Sequence, residues 1–134
     1  MKNVLTLNIL TPEKELFNGE ISELLSENED GKFGILINHV AMITTLIPCV
    51  TVIKQADGKK LEIFTSTGVL KLSDNQLDLL CEAAEWPENI DLARAEESKK
   101  KSKMRLAKKG ESNTDAKRAE LALLRALSRI KIKK

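Results

Sequence analysis

The chain divides by the period of its apolar residues. In Val4–Leu10 every second residue (Leu5, Leu7, Ile9) is apolar, with Thr6 and Asn8 between them, the alternation of a strand with one buried face. The same pattern places strands at Ile21–Ser26, Gly34–Ile37, Met42–Ile47, Val50–Lys54, Leu61–Phe64, Val69–Leu72 and Leu77–Leu80. Ala56-Asp57-Gly58-Lys59 carries the Asp-Gly pair of a tight hairpin turn, because both residues tolerate positive φ, and it returns Leu61–Phe64 along Val50–Lys54. Ser73-Asp74-Asn75-Gln76 marks a second hairpin. Short strands with a turn signal about every ten residues predict a sandwich or flattened barrel without helices.

From Ile90 the period becomes helical. Ile90–Lys109 and Thr114–Ile132 contain no breaker, and Gly110-Glu111-Ser112-Asn113 supplies a C-cap glycine followed by N-cap residues. So short a link sends the second helix back antiparallel to the first. Ala116, Ala119, Leu123, Leu127 and Ile130 form the predicted stripe of the second helix, and Leu92, Ala95, Ser98, Ser102 and Leu106 that of the first. Such small side chains close tightly but bury little, so the hairpin is expected to be marginal alone and to need docking, a ligand or a partner. Pro87 marks the change of period. The expected organisation is a β-sandwich domain over residues 1–86 and a helical hairpin domain over 87–134, a β + α fold.

Charge follows the same boundary. Residues 1–85 hold 13 acidic and 7 basic side chains, net −6; residues 86–134 hold 7 acidic and 15 basic, net +8. The whole chain of 134 residues is left at only +2, which excludes a globally basic nucleic-acid protein. A nucleic-acid clamp built from the +8 hairpin alone stays open as an alternative, although the helices carry no aromatic residue for base stacking. With 42% apolar and 31% charged residues the chain has the balance of a folded domain. No apolar run is long enough to span a bilayer, and the opening residues do not resemble a secretory signal. Cys49 and Cys81, without a C-x-x-C or a Cys/His cluster, are expected to be buried thiols in a reducing compartment.

Catalytic chemistry is not arranged. The one histidine, His39, has no serine or cysteine motif beside it, and there is no glycine-rich phosphate loop and no metal-ligand spacing. The arranged feature is cationic: Arg94, Lys101 and Arg105 recur at helical spacing on the first helix, and Arg118, Arg125 and Arg129 on the second. They form either a solvated basic face or an anion site, for which guanidinium forks suit phosphate oxygens. A ligand-binding or enzymatic β-domain with a helical tail is a further alternative, but the strands show no convergent polar site.

Several segments carry a resemblance. Thr11-Pro12-Glu13 with Phe17-Asn18-Gly19-Glu20, Gly31-Lys32-Phe33-Gly34-Ile35-Leu36-Ile37-Asn38-His39, Ser66-Thr67-Gly68-Val69-Leu70, Ile90-Asp91-Leu92-Ala93-Arg94-Ala95 and Lys117-Arg118-Ala119-Glu120-Leu121-Ala122 occur in order along the full length. Together they resemble the epsilon subunits of bacterial F-type ATP synthases, called delta in mitochondria. The resemblance implies a β-sandwich of about ten strands followed by the helical hairpin. It implies a non-catalytic rotor subunit of the central stalk, which couples ion translocation to ATP synthesis and restrains ATP hydrolysis when the hairpin extends. Its implied partners are the gamma subunit, the c-subunit ring and, for the extended hairpin, the alpha and beta catalytic subunits. No nucleic acid is implied, and the membrane is reached only through the complex, at the cytoplasmic side of the inner membrane.

No cofactor is required by the resemblance, but some family members bind regulatory ATP on the folded hairpin. Carried onto this chain, that site comprises Glu85, Ile90, Asp91, Arg94, Ala95, Lys101, Arg118, Arg125 and Arg129. Lys101 stands where ATP-binding members tend to carry arginine, and Ile37 and Ala41 replace two prolines. Asp30, Gly31, Lys32 and His39 resemble the end that meets the c ring; for His39 a packing role is the alternative. Nucleotide between the basic stripes is expected to favour the closed hairpin, and its loss the open one.

Overall fold

The computed structural model describes residues 4–107 and 113–133. Nine strands come first: β1 (Leu5–Leu10), β2 (Glu15–Asn28), β3 (Gly31–Leu36), β4 (Met42–Leu46), β5 (Cys49–Gln55), β6 (Lys60–Thr65), β7 (Gly68–Ser73), β8 (Gln76–Cys81) and β9 (Ala84–Glu85). A single 3-10 turn, Pro87–Asn89, leads into α1 (Leu92–Ala107), and α2 is Asn113–Lys133. The predicted Gly110 cap and the link through Glu111 and Ser112 lie outside the described residues.

The strands pair in the order β4-β7-β8-β1-β2-β5-β6-β9, with β3 also on β2. The fourteen-residue β2 joins the two layers of the sandwich. Its first half pairs with β1, its second half with β3, and its other edge with β5. The β2–β5 register shifts between Ile21 and Glu23, and the Ser22 hydroxyl there donates to the Lys54 carbonyl oxygen at 3.1 Å. A bulge of this kind bends a strand so that it serves both layers. Leu5, Leu7, Ile9, Leu70, Leu72, Leu77 and Leu79 fill the core from one layer, against Ile21, Leu24, Ile35, Ile53 and Ile63 from the other. Alternation predicted these faces correctly, because a sheet with one covered side selects period two.

Turns depart from the sequence reading in an informative way. At Ala56–Lys59 only Gly58 has positive φ, 90°; its N–H donates to the Gln55 carbonyl at 3.0 Å and Gln55 N–H to that of Lys59 at 2.8 Å. This is a three-residue loop closed by a left-handed glycine, not a two-residue turn with both residues left-handed. Asp74 and Asn75, at φ 47° and 61°, form that two-residue turn instead. Two strand segments escaped the pattern. Glu15–Glu20 has no alternation and contains Asn18-Gly19, yet it pairs with β1; β9 is two residues long, below any readable period.

The seam between the helices buries Ala95 and Ser102 of α1 against Ala119, Ala126 and Ile130 of α2. Ala126 takes the place predicted for Leu127, which is exposed. The smaller residue allows closer approach of the two helices, and the leucine is turned out. The last turns of α2 also lie on β5, β6 and the 3-10 turn.

Cys49 and Cys81 are both free and buried, as expected. Burial, with a further contribution from Cys49, pushes the Cys81 thiol from near 9 up to about 12. Above pH 9 the unfolded chain releases this proton while the native chain keeps it. Stability should therefore fall as pH climbs from 9 towards 12, by up to about 1.4 kcal/mol per pH unit from this group. Urea unfolding at several alkaline pH values, compared with Cys81→Ala, measures that slope. Separately, a Cβ at Gly68 would strike the Leu80 carbonyl oxygen on the neighbouring strand. Gly68→Ala should cost about 2 kcal/mol or more in the same unfolding measurement.

Candidate functional site

A cleft of about 660 Å³ opens where the hairpin meets the sheet. Its walls are the β1–β2 turn, β9 with the residues before it, the start of α1 and the end of α2. Of the nine residues expected at a nucleotide site, the cleft brings together Glu85, Asp91, Arg94, Ala95, Arg125 and Arg129. Ile90 is buried behind it. Lys101 pairs with Glu97 at 3.3 Å on the exposed side of α1, and Arg118 is exposed outside the cleft walls. The reason is helical rise. Lys101 lies seven residues after Arg94 and Arg118 seven before Arg125, about 10 Å further along the hairpin.

The Ile-Asp-x-x-Arg-Ala segment is partly a helix start. Asp91 caps α1: its Oδ1 accepts from Arg94 N–H at 3.1 Å, and its carbonyl accepts from Ala95 N–H at 3.1 Å. Ile90 packs beneath that first turn and Ala95 sits in the helix seam, both buried. Arg94 is exposed, with its guanidinium in no ion pair among the described residues.

Glu13, Glu82, Glu85 and Asp91 face Lys14, Arg94, Arg125 and Arg129, so the cleft is balanced in charge rather than uniformly cationic. Sequence patterning missed the acidic wall because Glu13 and Glu82 are far from the helices in the chain. The Arg129 guanidinium is engaged: Nε donates to Glu85 Oε1 at 2.6 Å, and Cζ lies 4.4 Å from the Phe64 ring centroid. Arg94 and Arg125 have no ion-pair partner among the described residues. Both remain open to an anion.

The residues expected at the c ring lie elsewhere. Asp30 lies in the β2–β3 turn and Gly31 and Lys32 open β3; Gly31 takes φ 121° and Asp30 N–H donates to Asn28 Oδ1 at 2.9 Å. His39 is exposed beyond the other end of β3, about 17 Å away by strand rise. Its loop is pinned by Asn38 N–H donating to Asn75 Oδ1 at 2.6 Å and Asn75 Nδ2 donating back to Asn38 Oδ1 at 3.1 Å. Around it Leu36, Ile37, Val40 and Ile43 are exposed. His39 is exposed, and its Nδ1 lies 2.8 Å from the Val40 carbonyl oxygen.

Comparison with known families covers both parts of the chain. The family model for the ATP synthase delta/epsilon chain β-sandwich domain matches residues 4–87, and that for its long α-helix domain matches 88–134. The chain belongs to the ATP synthase delta/epsilon family. The ATP synthase epsilon chain of Clostridium kluyveri is 47% identical over 134 residues, covering 100% of both chains. That of Clostridium botulinum is 51% identical over 133 residues, covering 99% of this chain and 98% of the relative. Among solved structures, a chain of the Euglena gracilis mitochondrial ATP synthase aligns with a TM-score of 0.80 at 17% identity, over 96% of this chain and 80% of that one. A chain from the central stalk and c-ring of the Tetrahymena thermophila enzyme aligns at 0.67 and 14% identity, over 99% and 98%. At those identities the structural likeness speaks for the delta/epsilon fold alone.

The capping role of Asp91 is directly testable. Asp91→Ala should speed amide exchange in the first turn of α1 and cost about 1 kcal/mol, whereas Asp91→Asn, which keeps the capping oxygen, should leave it near the native rate.

Proposed function

We propose that this delta/epsilon family chain is the epsilon subunit of an F-type ATP synthase, a non-catalytic part of the rotor in the central stalk. In that role it couples ion translocation to ATP synthesis, and its hairpin restrains ATP hydrolysis by moving between a docked and an extended pose. It is held at the cytoplasmic face of the inner membrane through the gamma subunit and the c ring. The alpha and beta subunits receive the hairpin when it extends. None of the described helices is long and apolar enough to cross a membrane, in keeping with attachment through other subunits. The exposed Leu36, Ile37, Val40 and Ile43 beside His39, and Asp30 to Lys32 where β2 turns into β3, are the surfaces we assign to those rotor contacts.

ATP is the proposed regulatory ligand, and one observation carries this assignment: Arg94 from α1 and Arg125 from α2 line the same cleft without ion-pair partners among the described residues. Phosphate oxygens between them would tie the two helices together, since each guanidinium gives charge-assisted, forked hydrogen bonds. Arg94 and Arg125 are the groups to which we assign this binding.

Titration of the full chain with ATP by calorimetry tests the site. Arg125→Ala should weaken ATP binding about tenfold or more, the scale of one charge-assisted contact; an unchanged titration rejects the assignment. Tagged chain expressed in its native cell should copurify the gamma and c subunits, and recovery without either rejects the rotor assignment.

A further inference from the structure

We infer that Glu85, Phe64 and Arg129 form a latch that holds the hairpin on the sheet without a bound ligand. This goes beyond the proposed nucleotide role of the cleft and does not depend on it. In β6, Ile63 and Thr65 face the sandwich core, so Phe64 between them faces outward, yet it is 0% exposed. Its cover is α2, whose last turns lie on β5 and β6. Register then supplies the second component. Glu85 of β9 pairs directly with Phe64, so ring and carboxylate project from the same face of neighbouring strands.

Arg129 descends from α2 onto both at once, with Nε 2.6 Å from Glu85 Oε1 and Cζ 4.4 Å from the ring centroid. About 70% of each charged side chain is removed from solvent, since their exposures are 28% and 31%. The pair is therefore screened less than a surface ion pair, and the ring face adds attraction for the cation. One helical turn on, Lys133 Nζ donates to the Pro87 carbonyl at 2.8 Å. Ala126 and Ile130 are buried on the same stretch of α2. Helix α1 makes no comparably broad contact with the strands among the described residues; it is held through α2. Undocking the hairpin therefore breaks this contact and uncovers an aromatic ring on the outer face of the sheet.

Hydrogen exchange of the full chain in nucleotide-free buffer, read by mass spectrometry, tests the latch. Wild-type amides of residues 124–133 should be protected without ATP. Glu85→Gln, which keeps size and removes charge, should speed their exchange about five- to thirtyfold, and Arg129→Gln likewise, with the double variant adding less than the sum. Strands β1, β7 and β8 should exchange at native rates in all three, which confirms that the sandwich is folded. Unprotected wild-type amides without nucleotide would overturn the latch, as would native rates in Glu85→Gln. A parallel ATP titration of the wild type separates the two proposals: failure to bind removes the nucleotide assignment and leaves the exchange result standing.

Discussion

The position of the hairpin depends on an aromatic ring that points the wrong way for a sandwich core. Phe64 faces outward from β6, and the strand cannot turn it in without turning Ile63 and Thr65 out, because side chains alternate. Something must cover it. The cover is the end of α2, and the cation that α2 brings is matched by the carboxylate that β9 places beside the ring. Sheet and hairpin are joined by a contact whose three members lie on three different elements. The joint is small, polar at one side and partly open to solvent.

The cleft beside this joint shows how one short motif divides its residues between packing, capping and an exposed guanidinium. In Ile90-Asp91-Leu92-Ala93-Arg94-Ala95, the isoleucine packs, the aspartate caps and the last alanine lets the helices approach. Only Arg94 projects free of those duties. On α2 the same division appears between Arg129, which is engaged, and Arg125, which is open. Two guanidinium groups on facing helices, with carboxylates around them, favour a ligand that brings several phosphate oxygens over one that brings a single charge. The acidic wall also sets a cost: an anion entering here meets Glu13, Glu82 and Glu85 as well as the arginines.

Much of the architecture was readable before any coordinates. Leu5, Leu7 and Ile9 announced a strand with one buried face, and Ala119 and Ile130 announced the helix seam, because burial on one side imposes its own period. The two-helix hairpin followed from uninterrupted helical period on both sides of a glycine link. What failed locally failed for a physical reason. The first half of β2 holds Asn18-Gly19 and still pairs, since a partner strand on its edge outweighs weak intrinsic preference. Leu127 was expected in the seam, but Ala126 lies there because close helix approach rewards the smaller side chain. Site residues were legible as a set on two helices, but not their partition, which depends on distances across the hairpin.

The sequence alone determined what local pattern can encode: strand faces, helix spans, the composition step at Pro87, two buried thiols and two basic stripes. These are properties of neighbours within a few residues, where backbone geometry converts spacing directly into a face. Only the tertiary structure decided that Glu85 stands beside Phe64, that Arg129 closes onto both, and that Lys101 and Arg118 fall a step outside the cleft. Such facts join residues 21 to 65 positions apart in the chain, through strand register and helix docking, and no periodicity along a single segment contains them.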